Sequence, residues 1–442
     1  LIVQGEYRVG HQEQLYIENQ AMIAEPREDG GITITGSMQC PYYVHSALKR
    51  ALDLTDEQAV ITQAETGGGF GGKEDYPSVV AIHAALLAQR VGKPVRMIYD
   101  RHEDIASTTK RHPAIVRYRS GVSASGRLIA QDIEVVMDGG AYSTLSPVVL
   151  SRGVLHAGGP YECPNVHIRG RSMATNTPPN GAFRGFGAPQ VGFAHEIQLS
   201  RIADELGVSP AELRRRWIYR EGGTTPSGQV LRESVAAEEV LREATEAADY
   251  EGVLEVSRQT RAVRWGQAQE AGAGFNSTRV RTASGIGIAM GWHGAGFTGS
   301  GEQKMGSTAG VELGADGAIR LLIANTEIGQ GTNPGMPMIG ADGLGGEPDE
   351  VELAPIDTSI VPNSGPTVAS RTVMVVGGMV SKAAARLRAL VEERSGGDFA
   401  DVYKADAAAN GATRIDQDFE SEVEVEFDDE TYTGDAYPAF GW

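Results

Sequence analysis

Cysteine is almost absent from this chain: Cys40 and Cys163 are the only two among 442 residues. Two thiols so far apart make no disulfide framework and supply too few ligands for an iron–sulfur cluster or a cysteine-rich zinc site. Such a chain is expected in a reducing compartment, the cytoplasm. Positive charge is also scarce. Lys and Arg number 39 against 58 Asp and Glu, a net charge of -19, which argues against a surface that wraps a nucleic-acid backbone. No apolar run reaches the roughly 20 residues of a membrane helix, and no secretory signal is visible. The chain starts at Leu1 rather than Met, and both ends read as cut. It is expected to be a fragment or one part of a split subunit.

Glycine is plentiful, at 57 residues, and much of it gathers in special loops. The first runs Thr66-Gly67-Gly68-Gly69-Phe70-Gly71-Gly72-Lys73-Glu74. Glycine lets backbone approach a ligand closely, and exposed amides in such a loop can form a nest for anionic oxygens. No Lys-Ser/Thr follows in P-loop register, and no G-x-G-x-x-G joins a strand to a helix. A plain flexible turn stays open as the alternative. The second loop, 175–190, includes Phe183-Arg184-Gly185-Phe186-Gly187-Ala188-Pro189-Gln190. The third is Thr326-Glu327-Ile328-Gly329-Gln330-Gly331-Thr332, and the fourth runs from Pro362 through Val368-Ala369-Ser370-Arg371-Thr372. Arg184, Gln330 and Ser370 can bond polar oxygens or amides, so the set points to a large anionic or multi-amide cofactor.

The regular elements frame these loops. Ile32–Thr35 alternates as a strand, and a helix is expected over about 43–53. Gln39 lies between them; its amide is either satisfied by nearby backbone or faces a ligand. Pro77 and Gly92 bracket a helix, and a strand starts at Val95. Residues 100–104 read as a charged loop. Hairpin strands are expected near 114–120 and 128–137, with Asp138-Gly139-Gly140 breaking the second. Arg152 sits in an apolar segment, 148–156, where a guanidinium needs a carbonyl or anionic partner, internal or from a ligand. Helices are expected near 189–206, 210–219 and 236–247, and a domain boundary near 257–284. A strand pair near 307–313 and 318–324 precedes the third loop. The fourth runs into a helix reaching about 394, and 423–427 alternates as an edge strand.

The four loops, in this order, resemble the molybdenum-cofactor subunit of the xanthine dehydrogenase (molybdenum hydroxylase) family, and the likeness covers nearly the whole chain. It implies an α+β fold of two cofactor-binding domains with mixed sheets, about 1–250 and 260–442, that enclose molybdopterin between them. The cofactor would be molybdopterin cytosine dinucleotide with molybdenum held by the pterin dithiolene. By the same resemblance, Gln39, Phe70, Arg184 and Ala369 lie beside the metal centre. Gly69, Gly71, Gly329, Gln330, Ser370, Arg371 and Thr372 contact the cofactor. Glu74 and Arg152 are a catalytic pair that orients a purine, and Phe186, Val368 and Ala369 border the substrate. The implied reaction hydroxylates a carbon next to a ring nitrogen, with oxygen from water. A nicotinate-type hydroxylase, another N-heterocycle or aldehyde hydroxylase, and a non-catalytic cofactor-binding protein are the rival readings.

The chain departs from the family pattern in places. The family's general-base glutamate, in a late G-E-x-P-like motif, has no counterpart; Glu422, Glu424 and Glu426 lie in an acidic strand. Iron–sulfur and FAD partner domains or subunits are therefore expected, along with a missing C-terminal part of this subunit. The isolated chain is expected to be inactive. Trp292 and Phe297 are candidates for the second aromatic of a substrate sandwich.

Overall fold

The computed structural model describes residues 1–259, 285–421 and 426–442. From residue 260 onward, the expected boundary at 257–284 lies outside the described residues, as does most of the expected 423–427 strand. Of that strand, Phe427 pairs with Gly434.

Three four-stranded mixed sheets carry the chain. In the first, Ile2–Val9, Ala114–Val122 and Leu128–Gly140 run antiparallel, and Val166–Ala174 adds in parallel. At the expected break the strand shifts register between Asp138 and Gly140 and ends at Gly140. The other two sheets repeat one plan. Ala21–Pro26 and Ile32–Gly36 form a hairpin, helix Pro41–Leu52 leads to the parallel strand Ala59–Gln63, and helix Pro77–Val91 leads back to Val95–Ile98. Further on, Thr308–Leu313 and Ile319–Leu322 form a hairpin, helix Thr332–Leu344 leads to Val351–Leu353, and helices Gly377–Ser395 and Phe399–Asn410 lead back to Thr413–Asp418. Strand order and direction match between the two units.

Each unit has a core between sheet and helices. Ile32, Ile34, Ile61, Val44, Leu48 and Val80 fill the first; Val311, Leu321, Met336, Val380 and Leu387 fill the second. The helix stops are local. Gly92 and Gly396 take left-handed φ values of 61° and 67° beyond their helices, as glycine at that position does at little cost. Residues 100–104 are not a loop: Asp100 accepts the Glu103 amide and caps helix Arg101–Ser107.

The repeated plan positions the loops. The first and fourth loops both follow the parallel third strand of their unit, and Gln39 and the third loop both follow the second strand. The units meet edge to edge, where Gln63 N donates to Ile356 O and Thr358 N donates to Ile61 O, each at 3.0 Å.

Candidate functional site

Gln39 is buried at the junction of three loops. Its Oε1 accepts the Gly71 amide at 2.8 Å, and its Nε2 donates to Thr367 O at 3.1 Å. Its own backbone N–H donates to Lys73 O, its carbonyl accepts from Thr367 N, and Thr326 Oγ1 lies 3.4 Å from that carbonyl. The side chain thus ties together loops from both units, which is the backbone-satisfied reading of this amide. One hydrogen of Nε2 remains beyond the bond to Thr367.

The first and second loops interlock. Gly71 has φ +99°, and a Cβ there would come within 2.9 Å of Ala182 and Phe183 backbone. Gly69 lies so close to Gln39 that a Cβ would sit 2.6 Å from Oε1. Arg184 N donates to Phe70 O, and Arg111 Nη2 donates to Arg184 O at 2.9 Å. The Arg184 side chain itself is exposed and has no ion-pair or hydrogen-bond partner among the described residues. Phe70, Phe186, Ala369 and Ser370 all hold left-handed φ values, from 49° to 56°. Non-glycine residues there store about 1–3 kcal/mol each, and such strain collects at functional sites.

Glu74 is 5 % exposed, and its carboxyl has no hydrogen-bond partner among the described residues. Burial, then the neighbouring Asp75, pushes its pKa well above the usual carboxylate range and so favours the protonated form. Burial also pushes the Cys40 thiol up, which disfavours a nucleophilic thiolate there.

Arg152 lies in helix Ser146–His156 and is 4 % exposed. It donates to Gly294 O at 2.7 Å and Gly296 O at 2.5 Å, with His293 Nε2 at 3.0 Å and the Tyr437 ring 4.9 Å beneath. Its partner is therefore internal, and it is carbonyl rather than carboxylate. No hydrogen bond or ion pair joins Arg152 to Glu74. Three of its five N–H donors are used; Nε–H and one Nη2–H, which share one edge of the guanidinium, are left. Gly296 N in turn donates to Ala369 O, so the segment 293–296, which begins as strand His293–Gly294, connects Arg152 to the fourth loop. The second loop returns to the Arg152 helix at Gly187, where a Cβ would meet Val149 O at 2.2 Å.

The remaining expected residues divide. Arg371 is fully buried and bonds Glu302, Ser364 O and Ser307. Its side chain braces the fourth loop from behind and is not presented to a ligand. Thr372 is nearly buried, Val368 and Ala369 are half-buried, and Ser370 is exposed. Gln330 folds back on its own loop, donating to Thr326 O and Thr332 Oγ1 and accepting from Ile328 N. Gly329 is exposed, with open space where a Cβ would stand. Trp292 is buried and stacks on Phe440, with centroids 4.6 Å apart, and Phe297 packs beside Arg371. Trp292 is therefore no free substrate aromatic, whereas Phe297 is half-buried.

Residues beyond those expected also matter. Glu327 accepts the amides of Gly329, Gly331 and Asn333 at the start of helix Thr332–Leu344. Burial opposes its charge, but the amides prevail and hold its pKa below the usual range. His156 and His293 flank Arg152. The only signal of this in the sequence was the i, i+4 spacing of Arg152 and His156.

Two family models, each described as a molybdopterin cofactor-binding domain, match residues 1–218 and 258–436. Over 376 residues the chain is 32% identical to a probable xanthine dehydrogenase subunit of Bacillus subtilis (strain 168), covering 85% of this chain and 47% of that protein. It is 37% identical over 248 residues to the nicotinate dehydrogenase large molybdopterin subunit of Eubacterium barkeri, covering 56% of this chain and 58% of that one. The aldehyde oxidoreductase of Desulfovibrio gigas superposes on the whole chain with a TM-score of 0.84 and 28% identity, over 46% of its own length. The chain thus spans about half the length of these proteins.

Proposed function

The chain belongs to the molybdenum-cofactor-binding part of the xanthine dehydrogenase family, and on that premise we propose that it forms the catalytic core of a purine hydroxylase acting on xanthine or hypoxanthine. The observation that carries this reading is Glu74, a buried carboxyl with no hydrogen-bond partner among the described residues, whose burial favours the protonated form. Such a group can donate to a ring nitrogen or carbonyl oxygen, and a planar N-heterocycle offers both. The 37% identity to a nicotinate dehydrogenase subunit favours nicotinate as the second reading.

The loops suit a molybdopterin dinucleotide. Arg184 offers an unpaired guanidinium for phosphate, Gly329 leaves open space against exposed backbone, and the Phe70 ring, 40% exposed, gives an apolar face. Among the described residues no three His, Cys, Asp or Glu are grouped to hold a metal, so the metal would come with its own organic ligand. Gln39, Gly69, Phe70, Gly71, Arg184, Ala369 and Ser370 would meet the cofactor. When bound, the molybdenum centre supplies the two-electron oxidation and admits oxygen from water.

The protein's own side chains do the rest. Glu74 donates its proton to an acceptor on the ring. The unused edge of Arg152 bonds a second acceptor and stabilises negative charge that builds on the ring. Phe186 packs against its face, and Val368 and Ala369 border it. Iron–sulfur and FAD partners, as domains or subunits, receive the electrons, and the general base comes from outside the described residues. The setting proposed is the cytoplasm; among the described residues no helix is long and apolar enough to cross a membrane.

The test is turnover of xanthine, hypoxanthine and nicotinate by the complete complex, with molybdenum counted per site. Purine oxidation that falls at least about a hundredfold in Glu74→Ala at unchanged molybdenum supports the reading. Full metal with nicotinate alone oxidised moves the assignment to the second reading.

A further inference from the structure

His156 is 1 % exposed, one helical turn beyond Arg152. Gly294 N donates to its Nε2 at 3.1 Å, so that nitrogen carries no proton. Its Nδ1–H therefore donates to Arg152 O at 2.7 Å. Both ring nitrogens are committed, and the ring is wedged among Trp292, His293, Tyr437 and Phe440 at centroid distances of 5.4 to 6.4 Å. Burial, with Arg152 and His293 adding to it, keeps the imidazole uncharged.

Arg152 and His156 thus hold the same short strand from one helix. The imidazole takes the Gly294 amide, and the guanidinium takes the Gly294 and Gly296 carbonyls. A guanidinium held at two carbonyls and stacked on Tyr437 has one orientation, and its remaining edge points one way. Loss of the imidazole bond frees Gly294 N and lets the strand, and with it the guanidinium, rotate.

We infer that His156 is a positioning residue: through Gly294 it aims the unused edge of Arg152 at the substrate. The inference rests on the heterocycle reading proposed above, and it assigns to His156 no contact with substrate or cofactor. Its mark is selectivity. A heterocycle with a second acceptor, remote from its reacting carbon, should feel the loss, whereas benzaldehyde, whose one acceptor is the carbonyl oxygen on the reacting carbon itself, should not.

The experiment compares wild type, His156→Phe and His156→Gln in the complete complex. KM and kcat are read for xanthine and for benzaldehyde, with molybdenum content and Tm alongside. His156→Phe keeps the ring volume but neither bond. It should raise KM for xanthine about tenfold, the effect of losing a hydrogen bond of a charged group, and leave benzaldehyde within about twofold. His156→Gln retains an acceptor for Gly294 N and should recover most of the xanthine KM. Equal losses for both substrates, or no rescue by His156→Gln at wild-type Tm and molybdenum content, would overturn the inference. If His156→Phe does not fold, His156→Leu, which also lacks both bonds, takes its place: a raised xanthine KM with benzaldehyde unchanged supports the inference, and an unchanged xanthine-to-benzaldehyde ratio overturns it. Wild type that oxidises benzaldehyde but no heterocycle would instead refute the heterocycle reading, an outcome visible before any variant is compared.

Discussion

Gly187 and Gly329 have nearly the same φ, +99° and +100°, in different surroundings. A Cβ on Gly187 would meet Val149 O at 2.2 Å and Gly153 N at 2.9 Å, both backbone atoms of the Arg152 helix. A Cβ on Gly329 would meet nothing within 4 Å. Gly329→Ala therefore adds backbone strain alone, about 2 kcal/mol. Gly187→Ala adds similar strain plus an overlap that no side-chain rotation relieves, worth about another 2 kcal/mol. With about 1 °C lost per kcal/mol in a chain of 442 residues, Tm should fall by about 2 °C in the first variant and about 4 °C in the second. Thermal unfolding followed by circular dichroism at one scan rate reads both. Equal shifts, or a larger one for Gly329→Ala, would refute the claim that packing of the second loop on the Arg152 helix sets the difference.

Other outcomes follow from buried charge. Glu74 has its folded pKa raised, so the stability it contributes is complete below its unfolded value, near 4.5, and is lost as pH rises toward the folded value. Glu74→Gln should melt with wild type near pH 4 and above it at pH 8; parallel Tm–pH curves would contradict this. Glu302→Gln leaves the fully buried Arg371 without its carboxylate and should cost about 3 kcal/mol in denaturant unfolding, whereas Glu302→Gln with Arg371→Met should cost less; an additive double variant would disprove the pairing. Glu327→Ala should speed amide exchange at Gly329, Gly331 and Asn333 while leaving the helix interior protected. Unchanged exchange there would mean that the carboxylate does not hold the loop.

The loops were legible because glycine, proline and one charged or amide side chain stand together in each, and the helices flanked by Pro and Gly were legible for the same reason. Helix Thr332–Leu344 was hidden because it carries Pro334, Pro337 and several glycines between its ends, so its propensity is poor and tertiary packing overrides it. Strand Thr413–Asp418 is almost wholly polar and shows no apolar alternation; only its pairing with Thr308–Leu313 makes it a strand. In the site, Gln39 and Glu74 stood out by their place in or beside the first loop. The partners of Arg152 did not, because they come from residues 293–296, some 140 positions away, and two of the three contacts are backbone carbonyls that no side-chain pattern announces.

The two repeated units meet beside their outermost strands. Ala59–Gln63 and Val351–Leu353 each lie at the end of a sheet, and residues 61–63 and 356–358 lie across from one another with reciprocal main-chain bonds and an antiparallel bridge at Thr62 and Asp357. An unpaired sheet edge is a template for another chain. Here residues 356–358 of the second unit cover the Ala59–Gln63 edge of the first. The first unit made alone would expose sticky β-structure at the seam, inviting self-association or swapping between copies, so the seam guards the protein's solubility as well as joining its halves.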